Sequence, residues 1–154
     1  VGQIELSFES EVTASPADAW RWITSIKGIS AEMRPYFRMT VPRGAESIND
    51  LNVTLGQALF RSRIYLFEFL PIGHSDLTLI EMREGEGFVE QSPMSSMNLW
   101  RHDRRIVPTA NGSRIIDHLT FQPKSATGVT AWFIRTVFHH RHKVIRRRLN
   151  EFRA

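Results

Sequence analysis

The chain of 154 residues contains no cysteine, so it can form no disulfide and offers no thiolate to a metal or a substrate. Its core must come from packing alone, and a reducing cytoplasm is the compartment expected by default. No apolar run approaches the roughly 20 residues that cross a bilayer as a helix, and Val1-Gly2-Gln3-Ile4-Glu5 has no basic stretch leading into an apolar one. Neither a span nor an export signal is therefore expected. Gly85-Glu86-Gly87 falls in a turn between strand-like segments rather than ahead of a helix, and Gly112-Ser113 is a turn as well. Nucleotide hydrolysis and serine-hydrolase chemistry are disfavoured on that ground. Repeats, low-complexity tracts and linkers are also missing, which predicts one domain over residues 1–154.

What is present is unevenly charged. Seven of the 20 basic residues and one of the 16 acidic ones lie from Thr127 onward, a net +6 that leaves −2 for the rest of the chain. The basic character therefore belongs to the last segment and not to the body.

Local patterns order the elements. Ile4, Leu6 and Phe8 alternate with Glu5, Ser7 and Glu9, as in a half-buried strand over 4–13. Ser15-Pro16-Ala17-Asp18 is a helix start, with Ala19, Trp20, Ile23 and Ile26 as the buried side. Lys27-Gly28 is expected to break this helix, with one more turn before Pro35. A second strand is predicted over 36–41, a surface connection with a turn near Asp50, then strands over 57–70, 75–84, 88–92, 97–108 and 113–123. Pro71-Ile72-Gly73 and Thr109-Ala110-Asn111-Gly112 supply turn signals between them. From Thr127 to Phe152 no proline intervenes, and Val129, Phe133, Val137 and Val144 run beside Ile134, Phe138, Ile145, Leu149 and Phe152. That is one long helix with an apolar stripe.

Met33-Arg34-Pro35-Tyr36, Leu70-Pro71-Ile72-Gly73, Leu99-Trp100-Arg101-His102-Asp103-Arg104, Asp117-His118-Leu119-Thr120-Phe121 and Phe138-His139-His140-Arg141-His142 carry a resemblance. With the order of elements, they look like bacterial members of the START-like helix-grip superfamily (SRPBCC), which includes START lipid-transfer domains, the major birch pollen allergen and polyketide cyclases. The resemblance implies an α+β fold: a curved antiparallel sheet of six or seven strands, two short helices and a long C-terminal helix. It also implies a mainly apolar cavity between sheet and helix for a hydrophobic small molecule, and no cofactor. It assigns no catalytic residue.

Several residues could furnish that cavity. On 97–107, Trp100, His102, Arg104 and Ile106 share a face, and on the next strand Ile115, Asp117, Leu119 and Phe121 do. Phe133, Val137 and His140 would look toward them from the helix. His102 and Arg104 fit either a ligand's polar end or a cross-strand polar ladder with Glu90 or Asp117, and the ladder is the more ordinary arrangement. Asp117, in phase with apolar neighbours, needs a partner such as Arg104 or His102; the couple is either a structural ion pair or an acid and base with displaced pKa values. His102 and Asp117 are thus the candidates for catalysis if the protein is a cyclase- or dehydratase-like enzyme. Glu68 would be a ligand anchor or a paired, exposed carboxylate. His139 and His142 share a helical face but lack further ligands, and the cations beside them oppose a metal. Arg146-Arg147-Arg148 complements the helix C-terminus; attraction to anionic membranes is the alternative, and no specific nucleic-acid motif accompanies it. Carriage of a hydrophobic molecule is the leading expectation, and nothing in the residues points to an oligomeric state.

Overall fold

In the computed structural model, which describes residues 2–150, every strand joins one antiparallel sheet. The strands are β1 (Ile4–Val12), β2 (Phe37–Met39), β3 (Ala58–Leu66), β4 (Leu70–Arg83), β5 (Gly87–Gln91), β6 (Met97–Thr109) and β7 (Gly112–Pro123). They lie in the order β1-β7-β6-β5-β4-β3-β2. Because β1 pairs with β7, the chain must cross to the far edge before β2, and helices α1 (Pro16–Thr24) and α2 (Ile26–Met33) make that passage. The sheet curls around α3 (Thr127–Leu149), giving the helix-grip architecture. Glu151 and Phe152 of the predicted helix, and Arg153 of the basic segment, lie outside the described residues. Among the described residues no helix is long and apolar enough to cross a membrane.

The expected break at Lys27-Gly28 is displaced: both residues lie inside α2, and the helices part at Ser25. Ser25 serves both ends. Its hydroxyl donates to the Trp22 carbonyl at 2.7 Å and accepts the Gly28 amide at 2.9 Å. Gly28 is needed for room, since a Cβ there would lie 2.2 Å from the Trp22 carbonyl oxygen.

A second correction concerns Pro71-Ile72-Gly73, which sits within β4 at a register shift rather than closing a strand. The reversal occurs earlier. Phe67 and Glu68 adopt left-handed φ values of 50° and 70°, a conformation that sequence rules reserve mainly for glycine and asparagine. Tyr36–Val41 narrows to the three residues of β2.

Two apolar clusters form the core. One gathers Val12, Ala19, Trp20, Ile106, Ile115 and Ile145 under α1; the other gathers Phe8, Leu119, Phe121, Ile134, Val137 and Phe138. Val129, expected in the buried stripe of α3, is exposed, as is Trp132.

Candidate functional site

Four elements cross from one cluster to the other, and each places polar residues at the crossing. β1 runs Phe8, Ser10, Val12; β7 runs Leu119, Asp117, Ile115; β6 runs Trp100, His102, Arg104, Ile106; α3 runs Phe138, Arg141, His142, Ile145. With Glu32 from α2 they make a buried polar layer between two apolar ones.

Its geometry is fully connected. Asp117 Oδ1 accepts from His102 Nε2 and Arg104 Nε, each at 2.7 Å. Its Oδ2 accepts from Arg104 Nη2 at 2.8 Å and His142 Nε2 at 2.7 Å. Arg104 also reaches Glu32, with Nη2 to Oε1 at 2.9 Å, and Arg141 Nε donates to the same oxygen at 3.0 Å. In the neutral tautomer that donates from Nε2, His142 Nδ1 accepts the Ser10 hydroxyl at 2.7 Å, and Arg146 Nη1 donates to that hydroxyl at 2.9 Å. Two carboxylates balance two guanidinium groups, the condition under which charges tolerate burial.

Electrostatics fixes these protonation states. Burial alone pushes the Asp117 carboxyl up, but the Arg104 charge, His102 and their hydrogen bonds outweigh it and hold the group well below the usual carboxylate range. Glu32 is likewise lowered: burial opposes, and Arg104 and Arg141 prevail. Arg104 is held above its ordinary value by Asp117 and Glu32 against the effect of burial. Asp117 is therefore a poor base near neutral pH and its layer reads as a structural ion-pair network.

A pH dependence follows. The unfolded chain protonates these carboxyls near about pH 4, whereas the folded chain resists, so stability is complete above that range and falls as pH drops below it. Urea unfolding at stepped pH should show a plateau from neutrality to about pH 5, then a decline approaching two protons, or ~2.7 kcal/mol per pH unit. Stability that stays level to about pH 2 would contradict the lowered carboxyls.

The candidate cavity residues fall into distinct settings. Ile106, Ile115, Leu119, Phe121 and Val137 face inward but are enclosed in the clusters, while Arg104 and Asp117 are committed to each other. His102 is enclosed between the rings of Phe88 and Phe138, with Glu90 opposite it in the β5–β6 register. Trp100 and Phe133 remain partly open. His140 bonds the Arg34 carbonyl oxygen and meets the Tyr36 ring edge-on, tying α3 to the passage between α2 and β2. His139 is exposed, whereas His142, which shares its helical face by spacing, is buried because Asp117 and Ser10 both take its ring nitrogens. Among the described residues no group of three or more His, Cys, Asp or Glu is placed to hold a metal. Glu68 stands in the β3–β4 turn, exposed and 3.2 Å from Arg34 Nε.

Sequence reasoning gave no site role to Glu32, Ser10 or Arg141. It also passed over the partly exposed side chains on the helix side of β2–β5. Phe37 meets Phe133 on α3, and the registers carry that inward face along the sheet to Ile64, Phe60, Leu77, Phe88 and Glu90. These side chains face the helix side of the sheet yet keep intermediate exposure, with Glu90 accepting from the Ser92 hydroxyl at 2.6 Å. A surface cavity of about 540 Å³ opens instead on the other face of β3 among Arg61, Arg63, Tyr65 and His74.

Comparison with solved structures supports the fold throughout. The aromatase/cyclase Zhui from Streptomyces sp. R1128 superposes with a TM-score of 0.68 at 7% identity, covering 94% of this chain and 92% of that one. Ara h 8.0201 gives 0.65 at 12% identity, covering 96% and 98%. A START superfamily protein from Mycobacterium smegmatis gives 0.64 at 10%, covering 97% of each. At such identities the likeness shows the helix-grip fold alone. No curated protein sequence matches the chain. Residues 10–149, nearly the whole sheet and helix, match the model of a domain of unknown function, DUF8410, and the chain belongs to that family.

Proposed function

We propose that the protein binds or carries a hydrophobic small molecule in the groove between the β2–β5 half of the sheet and the N-terminal half of α3. One observation carries this reading: Phe60, Ile64 and Leu77 face the helix side and are still only partly buried. Apolar side chains left open on a concave surface beside a few polar groups are the ordinary composition of a ligand site. Glu90, partly exposed at the inner end, supplies such a polar group. The solid half of the grip, from the polar layer to α1, holds the groove's walls in position. Relatives in fold named as an aromatase/cyclase and a START superfamily protein are consistent with this use of the architecture. The reading is binding rather than turnover, because Asp117 is ionised and sealed.

A fluorescent polyene fatty acid, titrated into the protein, is the test. Saturable binding at one site per chain is expected, and Phe60→Asp, which sets a charge in the groove, should weaken it by about tenfold or more. Arg147→Gln at the far end of α3 should leave it unchanged. Binding indifferent to Phe60→Asp in a normally folded variant sinks the assignment.

A further inference from the structure

Most of the exposed large apolar side chains collect on one hairpin and the adjacent helix end. Phe69 is 74% exposed, Phe67 49%, Leu70 47% and Ile72 41%, all on the β3–β4 hairpin; on the first turns of α3, Val129 is 70% and Trp132 63% exposed. These two groups adjoin, since the Phe67 ring lies 6.2 Å from that of Phe133, the residue next to Trp132. Singly exposed apolar residues are commonplace, but a cluster on a protruding hairpin and an adjacent helix end marks a surface that meets something apolar.

The surrounding charge says what. Glu68, the acid of the hairpin turn, is neutralised by Arg34, and Arg38 donates from Nε to the Glu68 carbonyl oxygen at 3.1 Å while stacking 4.0 Å from the Tyr65 ring. Arg63 and Arg135 are exposed, and among the described residues neither is in an ion pair with a carboxylate. Aromatic and aliphatic tips ringed by arginine are complementary to a bilayer interface with anionic headgroups, where rings enter the boundary layer and guanidinium groups meet phosphate.

We propose that the β3–β4 hairpin and the first turns of α3 form a docking surface for an anionic phospholipid bilayer. The basic C-terminal end of α3 is a poorer candidate. Arg146 is held on Ser10 and Arg148 lies over the Trp22 ring at 5.7 Å. That half of the helix also has no large exposed apolar residue among those described. It stands roughly 20 Å away along the helix axis, at 1.5 Å per residue.

Docking is tested without any groove ligand, so its outcome is separate from that of small-molecule binding. Sedimentation with vesicles of phosphatidylcholine containing phosphatidylglycerol should pull down the protein, and vesicles of phosphatidylcholine alone should do so far less. Phe69→Ser with Trp132→Ser should reduce binding about tenfold or more while circular dichroism stays unchanged, because both side chains are exposed. Arg147→Gln should have little effect. Four results overturn the proposal: no binding to the anionic vesicles, equal binding to neutral ones, binding that survives loss of Phe69 and Trp132, or binding lost on Arg147→Gln alone. A protein that ignores vesicles but self-associates, and becomes monomeric on Phe69→Ser, would assign the surface to a second copy of the chain instead.

Discussion

Arg104→Leu should destabilise the protein by about 3–5 kcal/mol, the cost typical of stranding a buried charge partner. That is a third or more of the ~5–15 kcal/mol that holds an ordinary domain together. The cause is specific to the polar layer. Arg104 donates to both Asp117 and Glu32, each fully enclosed, so its removal leaves two buried carboxylates facing only Arg141 and two histidines. Leucine keeps an apolar side chain on the strand but supplies no donor. The penalty should be partly relieved in Arg104→Leu with Asp117→Leu, because the second change removes one of the stranded charges; the double variant should cost less than the sum of the singles by ~0.5–3 kcal/mol. Urea unfolding of the four proteins checks this, and strict additivity would show that the two residues do not act together.

Removal of residues from Thr127 onward should abolish cooperative folding. Ile134, Val137, Phe138, Val144, Ile145 and Leu149 are buried on α3, and at ~1.5–3 kcal/mol for each large side chain the loss is comparable to the whole stability of a typical domain. The same cut takes away Arg141 and His142, and with them partners of Glu32 and Asp117. Calorimetry should show no sharp transition in the truncated chain. A single cooperative melt would contradict an architecture in which the sheet depends on the helix.

Much of the fold was legible because local signals agree with tertiary ones. The alternation in β1, the Ser15-Pro16-Asp18 start of α1 and the unbroken run of α3 each require only neighbours in sequence to be read. Errors fell where a local rule was overruled by a distant contact. Gly28 reads as a helix breaker until the Trp22 carbonyl oxygen is seen against it. Phe67 and Glu68 turn the chain without glycine, so the turn was sought at Pro71-Ile72-Gly73.

The site divides in the same way. Asp117 announced itself as a carboxylate among Ile115, Leu119 and Phe121, and its partners His102 and Arg104 were visible one strand away. Glu32, on a short helix with no strong pattern, was not. The signal for the whole layer was nevertheless present: Ser10 between Phe8 and Val12 repeats on β1 the interruption that Asp117 makes on β7, and Arg141-His142 repeats it between Phe138 and Ile145. Aligning such interruptions across elements would have found the layer, whereas reading α3 as one continuous apolar stripe hid it and placed Val129 inside.

The central claim is a grip divided into a solid half and an open one, with ligand held in the open half. Nuclear Overhauser contacts between a bound fatty acid and methyl-labelled protein test it most directly. Cross-peaks to Ile64 and Leu77, with none to Ile115, Ile145 or Leu149, are the predicted result; a bound ligand whose contacts fall only on Ile115, Ile145 and Leu149 would contradict it.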